Sequence, residues 1–188
     1  TMPRTLADGP TTERSGMSPL LSQVQLLRSR ALIGTVVDSE GLRLRPTGRG
    51  FPASLLSQVH VDPGLAADTF YLAFSNDGFT VGNGTRETRL AYGDPYKAVG
   101  LRFAITAKPQ VDKGILVLSP RELTIDRVLE KLRVSPREET DVVDVTYDDA
   151  VPEVAQRVVN ILIGTFENVD VRQAQGEFRR RRIFLEEQ

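Results

Sequence analysis

The chain has 188 residues, 40% of them apolar and 26% charged, with a formal net charge of -1. That is enough apolar material for one or two domains with a real core, and it excludes disorder as a description of the whole chain. The balanced charge and a pI near 5.9 argue against a nucleic-acid binder, whose basic residues cluster on one face, and the absence of cysteine excludes disulfides and thiolate metal sites.

Residues 1–17, with Pro3, Gly9, Pro10 and Gly16, have no period and read as a flexible leader. Ser18-Pro19 then opens a helix, with serine as N-cap and proline at the first helical position. Leu20, Val24, Leu27 and Ala31 form its apolar stripe, widened by Leu21, Ile33, Val36 and Val37, and Gly41 is its expected end.

From Leu42 to Leu118 the chain changes to short apolar runs cut by glycine. Phe70 to Phe74 and Phe79 to Val81, separated by Asn76-Asp77-Gly78, predict a hairpin whose turn tolerates positive φ. Gly82-Asn83-Gly84 and Gly93-Asp94-Pro95 mark further turns. Leu101, Phe103 and Ile105 alternate so that their large side chains share a face, and Ile115 to Leu118 closes the series. Short strands between turns predict a sandwich or small barrel.

Ser119-Pro120-Arg121-Glu122 has the pattern of a capping box. The helix it opens is expected to bury Leu123, Ile125, Val128, Leu129 and Leu132 and to end before Pro136. Val142 to Tyr147 alternates like a strand. Pro152 starts a helical pattern that runs to Gln188, with Val154, Ala155, Val158, Val159, Leu162, Phe166 and Val169 as its buried stripe. Gly164 and Gly176 are positions where it could bend. Unbroken, it would extend about 55 Å at about 1.5 Å per residue.

No apolar run reaches the ~18 to 20 residues of a membrane span, and no signal peptide is evident. The chain begins Thr1-Met2, and its last helix is still in pattern at Gln188, which suggests a segment excised from something larger.

The chemistry-bearing residues are sparse. His60, the single histidine, sits in a strand-like Val59-His60-Val61, where a structural or surface role stands beside a catalytic one. Ser54, Ser57 and His60 are the nearest approach to a nucleophile constellation, with no spacing that fixes their geometry. Glu138, Glu139, Asp141, Asp144, Asp148 and Asp149 read as a solvated strand end and turn. A cation site is the sharper reading, but the Asp-x-Asp-x-Asp-Gly pattern of a calcium loop is missing. Gly82-Asn83-Gly84-Thr85 lacks the lysine of a phosphate loop and reads as a turn. Arg179 to Arg182 would surround a helix, which suits a solvated or interhelical surface or contact with an acidic polymer.

Three passages resemble the periplasmic part of the polysaccharide co-polymerase, or chain-length determinant, family. In particular they resemble its larger exopolysaccharide-transport and tyrosine-autokinase members. Gln25 to Leu32 through Val36-Val37-Asp38-Ser39-Glu40-Gly41-Leu42 is similar to that family's first helix and its Gly-Leu exit. Asp148-Asp149 with Pro152, Ala155 and Asn160 is similar to its D-P-x-x-A-x-x-x-x-N helix start. Phe184-Leu185-Glu186-Glu187-Gln188 is similar to a Phe-Leu-x-x-Gln step in its long protruding helix. Phe166 and Asp170 depart from it, standing where Tyr and Asn are frequent.

The resemblance implies an α+β fold: a base domain of helices on a small mixed sheet, from residues 18–42 and 115–188, with a β-rich, sandwich-like insertion at 43–114 and a long C-terminal helix. It implies a non-enzymatic periplasmic scaffold of an inner-membrane protein. Such a scaffold would form homo-oligomers, act with a polysaccharide polymerase or export machinery, and touch the membrane only through flanking helices. No catalytic, metal or cofactor-binding residue and no cofactor is expected. Two alternatives stand beside it. One is a carbohydrate-binding module presenting Tyr71, Tyr92 and Tyr96 to solvent, and the other is the sensor portion of a membrane tyrosine autokinase.

Overall fold

The structure is a computed structural model that describes residues 19–84 and 87–186, with side chains over 20–84 and 87–169. The expected leader at 1–17 and the Ser18 cap lie outside the described residues. Among those residues the fold is mixed α+β, with four α-helices and three antiparallel sheets.

The first helical pattern is two helices, α1 (Pro19–Leu27) and α2 (Arg30–Ser39), rather than the one expected. Ser29 makes the break. Its backbone is extended, and its side-chain oxygen accepts the Leu32 amide at 3.3 Å, so it N-caps α2. Gly41 ends α2 as expected: it takes φ +58 while the Leu42 amide returns to the Val37 carbonyl at 3.1 Å.

The capping box expected before α3 (Arg121–Lys131) does not form, because Pro120 is the N-cap and no side chain bonds into the first turn. Both partners of the box's return hydrogen bond, from the Ser119 amide to the Glu122 carboxylate, are engaged elsewhere. The Ser119 amide donates to the Arg43 carbonyl at 2.8 Å, and the Glu122 carboxylate accepts from Arg30 at 2.7 Å. Leu123, expected inside, is 58% exposed. Thr124 takes the buried position, its hydroxyl donating to the Pro120 carbonyl.

The helix also stops short of Pro136, since Leu132–Pro136 form a strand, β9. It pairs antiparallel with β10 (Val143–Tyr147), Leu132 opposite Tyr147 and Val134 opposite Val145. The sheet beside the helices is therefore this antiparallel pair, where a mixed sheet was expected; the six-residue loop between its strands is too short for a parallel crossover. The last helix, α4 (Pro152–Glu186), has 35 residues. Its Val158 and Leu162 are fully buried in one core with Ile33, Val36 and Val37 of α2 and Ile125 and Val128 of α3.

The rest is β. Strands β1 (Leu44–Thr47), β3 (Asp68–Phe74), β4 (Phe79–Gly82), β5 (Glu87–Leu90) and β8 (Lys113–Leu118) form one sheet in the order β1-β8-β3-β4-β5. A second sheet has the order β2-β7-β6, from β2 (Leu56–Val61), β6 (Pro95–Ala98) and β7 (Leu101–Ile105). The predicted hairpin is β3–β4, with Phe74 opposite Phe79.

Its turn works for a reason other than positive φ, which none of Ser75 to Gly78 adopts. A Cβ on Gly78 would lie 2.1 Å from the Leu90 carbonyl oxygen, so the glycine is there for close approach. Phe70, Leu72 and Phe74 from one sheet meet Leu101, Phe103 and Ile105 from the other in a single core. Rings cross edge to face, Phe51 on Phe74 at 5.2 Å and Phe70 on Phe103 at 6.5 Å.

Two apolar cores result, one helical and one between sheets. The chain passes between them at β1 and β8, which pair side by side with Leu44 opposite Leu118.

Candidate functional site

Arg43 sits at this crossing and is 1% exposed. Its Nε donates to the Ser119 carbonyl at 3.0 Å, its Nη1 to the Asp62 and Pro63 carbonyls at 2.8 and 3.1 Å, and its Nη2 to the Leu65 carbonyl. Four hydrogen bonds thus spend the donors of this guanidinium on backbone from two separate segments, Ser119 and Asp62 to Leu65. Burial pushes this guanidinium below its ordinary value, while Asp38 pulls it back up.

Beside it, between the two cores, lies a cleft of about 250 Å³. Its apolar wall comes from Leu44, Phe51, Leu56, Val59 and Val154, and its charges from Glu40, Arg45, Asp149 and Arg157. Those charges are already matched. Arg157 Nε donates to Glu40 at 2.8 Å. Asp149, whose side chain is 5% exposed, meets Arg45 at 3.4 Å and Lys131 at 3.6 Å and accepts the Val151 amide at 3.2 Å. The cleft is thus an apolar slot whose charged rim is neutralised within the chain.

The residues singled out by sequence are dispersed. His60 is exposed on β2, its Nε2 3.2 Å from Asp62. Ser57 lies on the same strand, opposite Ala104, and Ser54 in the short 3-10 turn before it. No hydrogen bond joins either serine to His60 among the described residues.

The acidic group is split among separate cations: Asp144 pairs with Arg137 at 2.7 Å, Asp148 with Arg133 at 3.4 Å, and Asp149 as above. Among the described residues no three His, Cys, Asp or Glu side chains are placed to hold a metal. Gly84 takes φ +87 in the β4–β5 turn, while Thr85 lies outside the described residues. So do the side chains of Arg179 to Arg182.

Of the three tyrosines only Tyr71 stands out from the surface, at 59% exposed. Tyr92 lies against Phe79 at 5.9 Å and donates to the Ser75 carbonyl. Tyr96 lies against Phe103 at 5.1 Å and Phe70 at 6.2 Å. A shared aromatic platform is therefore not formed, because two of its members complete the core.

Sequence reasoning missed Arg43, and it read Asp149 as part of a solvated turn, whereas its side chain is 5% exposed and paired with Arg45 and Lys131. In sequence Arg43 is one of two arginines alternating with leucine in Leu42-Arg43-Leu44-Arg45, and nothing local separates the buried one from its neighbour.

Among the described residues no helix is long and apolar enough to cross a membrane. No protein-family model matches the chain, and no curated relative matches it. Among solved structures, that of Xanthomonas campestris FlgL in space group H3 is similar over 65% of this chain at 16% identity, with a TM-score of 0.31. This chain spans 40% of that one's length, and a likeness at that score carries no argument about fold or function.

Proposed function

We propose that the chain is the periplasmic scaffold portion of an inner-membrane polysaccharide co-polymerase, assembling with copies of itself to regulate the length or export of an envelope polysaccharide. In this reading α1–α4 and the β9–β10 pair form the base domain, and the two sheets between β1 and β8 are a sandwich-like insertion. The scaffold is non-enzymatic and needs no cofactor. Membrane attachment comes from flanking helices, and the partners are other copies and the polymerase or exporter.

One observation carries the reading. The 35 residues of α4 extend about 52 Å, whereas a compact globule of this length is about 40 Å across. A helix longer than the body that holds it needs a further surface for its far end, and a neighbouring helix or subunit supplies one. The resemblance adds that its second passage starts α4 and its first spans α1 and α2, whose buried residues share one core with α4.

The test is genetic. Deleting the parent gene from its bacterium should broaden or shift the size distribution of a surface or secreted polysaccharide, and the intact gene should restore it. A mutant whose every polysaccharide keeps its normal length and amount would end this proposal.

A further inference from the structure

The outer face of the three-stranded sheet carries a row of nitrogen groups that the register aligns. His60 of β2 lies opposite Arg102 of β7, and Arg102 lies opposite Lys97 of β6. Directly paired residues project from the same face, and all three are exposed. Like charges placed directly opposite repel, so Arg102 beside Lys97 is an arrangement that an anion would relieve. Among the described residues neither forms an ion pair; the acid at the row's end, Asp62, is 3.2 Å from His60.

The row is built by a local irregularity. From Ser57 to His60 is three steps on β2, matched by two steps from Ala104 to Arg102 on β7. The extra residue is absorbed at a bulge where Gln58, not a glycine, takes φ 51. With regular pairing Val59 would stand opposite Arg102. The bulge instead puts His60 there, and Val59 lines the junction cleft. A shallow depression of about 390 Å³ lies over the row, lined by His60, Asp62, Lys97, Arg102 and Gly100 among others.

We propose that this row binds the acidic groups of a polysaccharide, carboxylate-bearing sugars in particular. The inference rests on the scaffold reading for its choice of polymer. Three side chains on adjacent strands span roughly 10 Å, more than one small oxyanion covers, and the depression is open along the sheet as a polymer requires. The chain's net charge of -1 leaves the row without the wide basic surface that nucleic acid needs.

The test is titration of the 188-residue chain with a short alginate oligomer, with neutral dextran, inorganic phosphate and single-stranded DNA as comparison probes. Alginate should bind saturably and dextran should not. Arg102→Gln and Lys97→Gln should each weaken alginate binding about tenfold, added salt should weaken it further, and Arg89→Gln on the other sheet should leave it unchanged. Melting curves should match the parent, since the altered side chains are exposed.

Unaltered affinity in both variants overturns the site, as does dextran, phosphate or DNA binding as tight as alginate. Alginate binding lost in the variants together with normal polysaccharide in the gene deletion would keep this site and remove the scaffold role. The converse pair of results would do the opposite.

Discussion

Arg121 of α3 holds Asp38 of α2 in a forked grip, Nη2 at 2.8 Å from one carboxylate oxygen and Nε at 3.0 and 3.1 Å from both. These hydrogen bonds raise the guanidinium above its ordinary value against the cost of partial burial. The fork passes over Gly34, where the three nearest atoms to an added Cβ all belong to Arg121, the first at 2.4 Å. Gly34→Ala should therefore have opposite signs in two backgrounds. With Arg121 present it displaces the fork and should cost about 1 kcal/mol net. With Arg121→Ala it should gain about 0.5 to 1 kcal/mol from helix propensity. Urea unfolding of the four proteins reads the difference.

Replacing Arg43 by methionine keeps much of its volume and strands the carbonyls of Ser119, Asp62, Pro63 and Leu65. Buried acceptors left without donors make this expensive, about 3 to 5 kcal/mol. Lysine should recover only part, having no planar fork. A loss under about 1 kcal/mol in chemical denaturation would contradict the role given to this residue.

Two glycines should respond oppositely to alanine. At Gly78 the new Cβ meets the Leu90 carbonyl at 2.1 Å, and backbone cannot swing aside as a side chain can. A loss of about 2 kcal/mol or more is expected. Gly164 lies inside α4 with nothing within 4 Å of the added atom. There the substitution should stabilise by up to about 1 kcal/mol. Thermal melts of the two variants are the measurement.

Tyr147 predicts the alkaline limit of stability. Burial, then the Asp149 carboxylate, push its phenol above the ordinary value, with Arg45 pulling back. A raised phenol keeps its proton in the fold while the unfolded chain loses its own near pH 10. The contribution is complete below that pH and disappears as pH rises through the folded value. Burial shifts Tyr92 in the same direction, so Tyr147→Phe should reduce the alkaline loss without abolishing it. Since the Tyr147 hydroxyl is buried with no hydrogen-bond partner among the described residues, the same change should be neutral or mildly stabilising at pH 7.

Along α4, neighbours should differ sharply. Leu162 is fully buried and Ile163 is 40% exposed. Leu162→Ala should cost about 2 to 5 kcal/mol through lost contacts and a cavity. Ile163→Ala should cost under about 1 kcal/mol in the isolated chain. Equal costs in denaturant titrations would mean that α4 does not dock by the face described.

Much of the architecture was legible locally. The β3–β4 hairpin, the alternation of Leu101, Phe103 and Ile105, the end of α2 at Gly41 and the start of α4 at Pro152 each depend on residues within a few positions of one another. The capping box at Ser119 failed although its pattern was complete, because its serine amide and its glutamate are claimed by Arg43 and Arg30, each more than seventy positions away. β9 was hidden inside a helical pattern. Leu132 and Val134 also suit a strand, and pairing with β10 decided between the two. The row on the second sheet was harder to read: Lys97 and Arg102 meet across a tight hairpin, but His60 reaches Arg102 through a register set by a bulge more than forty positions away.

By itself, then, the order of residues determined the α+β class, the strand alternation and a C-terminal helix that starts at Pro152, since periodicity and backbone stereochemistry act over one or two turns of chain. Only the tertiary structure decided which caps survive, where Arg43 spends its donors and which nitrogen-bearing side chains stand in one row across three strands. Those outcomes depend on register and on competition among distant partners for the same hydrogen bonds, and a linear pattern does not encode the winner.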